Sequence, residues 1–190
     1  GTVLEADGTG RRTLIDIRGT DDRRWTTDAV PVTDNYVPVG ATRLHVADAS
    51  RFRIGDRVIV ERPSPEAWIV SIGMDKSPAS SPFMWRPGTM DIAWDRVVTA
   101  VDGNELTLNA PVTTALEARF GGGTVRGYAW PGRLHHVGVE QLRCESTCEA
   151  GNPKDEAHSW MAVQLDDVAD AWVANVTGVH FVSSLVDMGA

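Results

Sequence analysis

The sequence predicts an all-β chain in which stacked repeat coils are interrupted by a self-contained antiparallel unit. Three observations predict it. No stretch of about 12 residues or more combines apolar positions at helical spacing with a capping residue. Short β-branched runs bounded by Gly, Asp, Asn and Pro recur along the chain instead, the pattern of strands with turn punctuation. After Gly121-Gly122-Gly123, strand pairs of similar composition return at intervals, which is the mark of a stacked architecture.

The elements follow in order. Thr13–Ile17 reads as the first strand. Thr42–Val46 and Arg57–Val60 flank the turn at Gly55-Asp56, and Leu44, Val46, Phe52, Ile54, Val58 and Val60 alternate with polar residues. Arg96–Val101 runs through Asp102-Gly103-Asn104 into Glu105–Leu108, and Asp-Gly between alternating runs is a strong hairpin signal because Gly accepts the positive φ of such turns. Pro111 closes this segment, and Ser77–Pro82 within it is a loop by composition. Residues 37–112 therefore read as a compact antiparallel set. Beyond them come Met161–Leu165, Trp172–Val176 and Gly178–Val182. Val137-Gly138-Val139 is similar to Trp172–Val176 at a spacing of 36, and Ala162–Leu165 to Leu185–Met188 at a spacing of 23. The difference matches a loop of extra residues between Cys144 and Ser159. Such repeats bury their apolar faces only against neighbours stacked on either side.

Composition narrows the function classes. In 190 residues, 18 Lys+Arg face 26 Asp+Glu, a net charge of −8 with no basic tract, so nucleic-acid or anionic-membrane binding is not expected. No apolar run approaches the roughly 20 residues of a membrane span. A chain opening at Gly1 without Met reads as a mature or excised piece. The two cysteines, Cys144 and Cys148, have no second pair to complete a four-ligand zinc site. They form a short-loop disulfide or remain free thiols, the disulfide being the reading for an exported chain.

The string from Val39 to Val58, with Ala41-Thr42-Arg43-Leu44-His45-Val46 and Phe52-Arg53-Ile54-Gly55-Asp56-Arg57-Val58 in it, resembles a module that interrupts β-helix proteins of the pectate-lyase-like superfamily. Asp95–Pro111 resembles the second half of that module, and Ala171-Trp172-Val173-Ala174-Asn175-Val176-Thr177 resembles a helix rung. The resemblance implies right-handed parallel β-helix coils with an inserted small antiparallel β-barrel-like domain. The first coils would occupy 1–37, from Thr2 to Ile17, and the insertion 38–114. The coils would resume over 115–190, near Phe120. It implies a secreted or periplasmic carbohydrate-active protein whose partner is a polysaccharide, as a lyase, a glycoside hydrolase or a binding module. It also implies that this is the N-terminal part of a longer chain.

Several residues could carry such chemistry. Removing the proton next to a uronate carboxylate needs a base and a group that neutralises the carboxylate. Asn152–Trp160 holds the densest set: Lys154 and His158 as base or clamp, Asp155 and Glu156 as oxygen donors for Ca²⁺, the one cofactor class suggested. A solvated polar loop is the plain alternative. His135-His136 in one strand would point to opposite faces, so no shared metal site is expected there. Asp166, Asp167 and Asp170 suit turn capping more than Ca²⁺. Trp172 reads as core, while Trp68, Trp85 and Trp94 fall in the insertion, where an exposed indole could stack on sugar. Asn175-Val176-Thr177 matches a glycosylation sequon inside a predicted strand, and Gly8-Thr9-Gly10 lacks the context of a dinucleotide site. The sugar-contacting face expected from these considerations comprises Trp130, Lys154, His158 and Trp160, stiffened by the Cys144–Cys148 bridge.

Overall fold

A computed structural model describes residues 1–76 and 84–189. The loop expected at Ser77–Pro82 lies outside the described residues. The chain divides into two compact units, Gly1–Arg23 with Trp130–Ala190, and Arg24–Ala129.

The first unit is a parallel β-helix. Thr2–Ala6, Leu142–Ser146 and Thr177–Val179 form one parallel sheet, and Thr13–Arg18, Met161–Asp166 and Ser184–Met188 form another. Leu134–His135 pairs with Val168–Ala169, and Gly138–Glu140 with Trp172–Ala174, again parallel. One offset governs the register of successive coils: Leu134↔Val168, Gly138↔Trp172 and Arg143↔Thr177 are the same distance apart in sequence, slightly less than the spacing of 36 that the sequence repeat suggested. Val163↔Val186 keeps the shorter spacing of 23 read from the sequence, because the loop after Ser146 lengthens only the middle coil. Val3↔Arg143 are far apart in sequence, yet leaving out Arg24–Ala129 brings them to the same single-coil offset. Residues 134–182 thus stack as coils, and the competing arrangement of antiparallel hairpins is excluded.

Burial follows the stack. The register ladder Ile15–Val163–Val186 is fully buried only at its middle member, which has a neighbour on both sides. The coils turn at corners where the backbone goes left-handed. His136 (φ 59°) and Asp170 (φ 53°) are one coil apart, as are Gln141 (φ 60°) and Asn175 (φ 53°), so equivalent corners stack. This ends the strand expected over Trp172–Val176 at Ala174 and leaves Asn175 on a corner rather than inside a strand.

The second unit is antiparallel. Arg24–Trp25, Thr124–Ala129, Arg57–Arg62, Ile92–Asp102, Glu105–Leu108 and Arg43–His45 lie side by side in that order, with Val30–Pro31 also paired to Thr124–Ala129. The Asp-Gly hairpin forms as read, with Asp102 opposite Glu105 and Gly103 at φ 57°. Leu44, Val46, Val58, Val60, Val98, Leu106, Leu116 and Val125 fill its core. The unit is wider than the 38–114 expected. Tyr36–Val37 pairs with Leu116–Glu117, and Thr124–Ala129 pairs with Arg57–Arg62, so these segments belong to this unit and the coils resume at Trp130 rather than near Phe120. The one α-helix among the described residues, Glu66–Ser71, has six residues. Trp94 is buried, donating its indole N–H to Thr113 Oγ1, and Trp68 stacks on Trp85 at 5.8 Å.

Candidate functional site

The loop between Leu142–Ser146 and Met161–Asp166 is built around Asp155. One carboxylate oxygen accepts the Glu149 N–H (2.8 Å) and the other the Ala157 N–H (2.9 Å). These two bonds hold the carboxyl below its ordinary value, since both favour the charged form. Asn152 links its side chain to Glu149 and to the Lys154 N–H, an Asx-type turn that such residues favour. The loop is tied to the neighbouring coil by Gly10 N–H to Ala157 O, Thr147 N–H to Ala6 O and Ser159 Oγ to Arg12 O.

His158 is buried under this loop. Its Nδ1 lies 3.1 Å from Ser146 Oγ, and its Nε2 lies 3.2 Å from Asp155 O and 3.9 Å from the Asp155 carboxylate. In the neutral tautomer that donates Nε2–H to Asp155 O, Nδ1 accepts from Ser146; this tautomer is assigned from the hydrogen bonds. Serine, histidine and aspartate in line are the groups of a hydrolytic triad. Here the serine is 3% exposed, and its oxygen already accepts the Ser159 N–H at 3.2 Å. A carbonyl carbon has no approach to it. The trio joins the two ends of the loop.

What the loop presents outward is an open cleft of about 520 Å³. Asn152, Lys154, Asp155 and His158 line one side, and His180 with Phe181, from a corner of the next coil, line the other. The acids at its lip already have partners: the Asp155 carboxylate accepts two backbone N–H groups, and Glu156 pairs with Arg11 at 3.2 Å. They face different partners, not a shared ion. Lys154 is exposed and has no ion pair among the described residues. The free positive charge of the cleft is therefore Lys154.

The four expected sugar-contacting residues separate into groups. Lys154 and His158 share the cleft, though His158 reaches it from a buried position. Trp160 is half-buried behind the loop, its indole N–H on Glu156 O and the Arg11 guanidinium 4.8 Å above its ring. Trp130 occupies another corner, with its N–H on Thr20 O and Arg23 and Arg133 against its ring. The strand Met161–Asp166 runs between the two corners, and its length at about 3.3 Å per residue puts them on the order of 20 Å apart.

Three further expectations are corrected. The cysteines are free: Cys144 is buried in the coil between Leu4 and Gly178, and Cys148 lies beyond the strand end, exposed at the cleft. Burial pushes the Cys144 thiol above its ordinary value. Trp172 is not core. It is 45% exposed and lies across Gly138 of the adjacent coil, where an added Cβ would sit within van der Waals overlap of the ring, and its N–H reaches Glu140. His135 and His136 do not diverge, because the left-handed backbone at His136 breaks the strand and both rings turn toward Asp170. His180 and Phe181 were missed by sequence reading; only the correct coil register would have brought them to the loop.

The fold and site define a parallel β-helix protein with an inserted antiparallel unit and a loop-walled cleft. No protein-family model matches the chain, and no curated protein sequence matches it. Solved structures similar to it include phage tailspikes. One is Gp54 of Acinetobacter baumannii bacteriophage AP22, solved with A. baumannii capsular saccharide (10% identity, TM-score 0.41, covering 99% of this chain and 31% of that one). Two more are gp49 of Pseudomonas phage LKA1 (17%, 0.34, 94% and 26%) and gp61 of Pseudomonas phage phi297 (14%, 0.41, 100% and 34%). The chain spans between about a quarter and a third of the length of these tailspikes.

Proposed function

We propose that the chain is part of an exported, pectate-lyase-like β-helix protein and that it binds an acidic polysaccharide in the cleft beside the Asp155-centred loop. The observation that carries this reading is the exposed Lys154 ammonium, without an ion pair among the described residues, at a cleft whose own carboxylates are already bound by backbone N–H groups or by Arg11. A uronate carboxylate entering there meets the ammonium at short range, and a charge-assisted hydrogen bond to it outweighs a neutral one. Phe181 supplies an apolar wall, and Asn152 supplies an amide for hydroxyl groups. The Ser146–His158–Asp155 line is consumed in holding the loop, so the cleft reads as a binding site rather than an esterase centre.

Calorimetric titration with polygalacturonate, alginate and capsular polysaccharides, against neutral dextran, tests the proposal. Binding of an acidic polymer should weaken about tenfold in Lys154→Ala, as expected for loss of a bond to a charged group. It should weaken further in Lys154→Ala/Phe181→Ala, whose second change removes the apolar wall of the cleft. Unchanged binding in the double variant overturns the assignment. Release of unsaturated uronates during incubation would show that the chain cleaves as a lyase and overturn the reading of binding alone.

A further inference from the structure

We propose that His135, His136 and Asp170 form a surface site for a divalent transition-metal ion of the zinc class, held across two successive coils. It is the one grouping of three potential ligands close enough to share an ion among the described residues. The β-helix itself creates it. Equivalent corners stack, so Asp170 sits one coil along from His136, and both have left-handed backbones that aim their side chains outward together. His135, in register with Ala169, adds its ring beside them.

The distances suit a shared ion better than direct hydrogen bonds. His135 Nδ1 and His136 Nδ1 lie 3.7 and 3.6 Å from Asp170 Oδ2, beyond the roughly 2.7–3.2 Å of an N–H···O hydrogen bond. An ion at about 2.1 Å from each donor would see donors so spaced at an angle of about 120°, near the tetrahedral and trigonal values such ions accept. The widest separation in the trio is at most 4.8 Å. It must close by up to roughly 1.4 Å to reach the ~3.4 Å that separates two such donors at the tetrahedral angle. All three residues are exposed, so χ rotations of the side chains are free to make that closure. Two imidazoles and one carboxylate select Zn²⁺, Ni²⁺ or Cu²⁺ over Mg²⁺ and Ca²⁺, which prefer all-oxygen sites. Water would complete the coordination shell. The ion would join one coil to the next, in a place separate from the Lys154 cleft.

Titration of the untagged chain with ZnCl₂ and with NiCl₂, followed by calorimetry, tests this. One ion should bind per chain, CaCl₂ and MgCl₂ should give no saturable uptake at the same concentrations, and zinc should raise Tm. Affinity should fall at least tenfold in His135→Ala and in His136→Asn, the latter chosen because Asn tolerates the left-handed backbone. Asp170→Asn should weaken binding and abolish the rise in Tm. Absence of saturable zinc or nickel uptake overturns the proposal. So does uptake that persists unchanged in the His135→Ala/His136→Asn double variant, which would place the ion elsewhere, for example at Cys148 and His180. Either failure leaves the Lys154 cleft, and its polysaccharide titration, untouched.

Discussion

The inserted unit and the coils bury their side chains by different rules. In the antiparallel unit, sidedness is local: along Glu105–Leu108, residues alternate between half-buried and buried, and the buried leucines face one aliphatic core. In the coils, identical inward positions differ in burial according to their place in the stack. Val163 is fully buried while its ladder partners Ile15 and Val186 are half-covered. A strand of the insertion carries its own instructions; a strand of a coil borrows part of its burial from residues far along the chain.

The sharpest test of that contrast is a matched pair of truncations. Leu106→Ala, at a side chain with no exposure, should cost about 3–5 kcal/mol in urea denaturation, and Leu185→Ala, at a half-buried coil position, should cost clearly less. Equal costs would break the comparison. Next in size is Gly138→Ala, which drives a methyl group into the Trp172 ring and should cost about 1–3 kcal/mol. Adding Trp172→Ala should recover most of that loss, a coupling that a double-mutant cycle reads directly. Smallest is an acid-induced opening of the loop. Because the Asp155 carboxyl is held below its ordinary value of 3.8, its contribution is full above that pH and is lost as pH falls through the folded-state value. Protection of the Glu149 and Ala157 amides, measured against their intrinsic exchange rates, should therefore fall at low pH without global unfolding. Asp155→Asn should show low protection of these amides at every pH.

Much of this was legible from residue types and spacing. The Asp-Gly hairpin, the repeat of 23 and the extra loop after the cysteines are all in the structure, because each has a local cause. The unit boundary was not legible. Gly121-Gly122-Gly123 looks like punctuation between domains, yet Thr124–Ala129 continues the antiparallel sheet, and no shift of composition marks Arg23 or Trp130. Trp172 sits in an apolar alternating run that mimics core; its outward placement depends on the missing side chain of Gly138, one coil away. The meeting of His135 with His136 depends on a left-handed backbone that a non-glycine residue does not announce. At the cleft, Lys154 stood out as the only lysine of the coils. The role of Asp155 stayed hidden because its partners are backbone amides, and His180 and Phe181 because they arrive through the coil register.

The pairing of Arg24 with Ala129 at the two ends of the inserted unit has a consequence for chain entropy. Closing the first coil onto the second joins Val3 to Arg143, across a long loop if the intervening chain is flexible. Once Arg24 and Ala129 face each other in a sheet, the chain between Arg23 and Trp130 no longer adds to that loop. What remains to be closed is the same circuit that separates every later pair of coils. By the logarithmic dependence of closure on length, a roughly fourfold shortening of the loop lowers the entropic cost by about 1 kcal/mol. A large interruption in the sequence is, to the folding β-helix, almost no interruption at all.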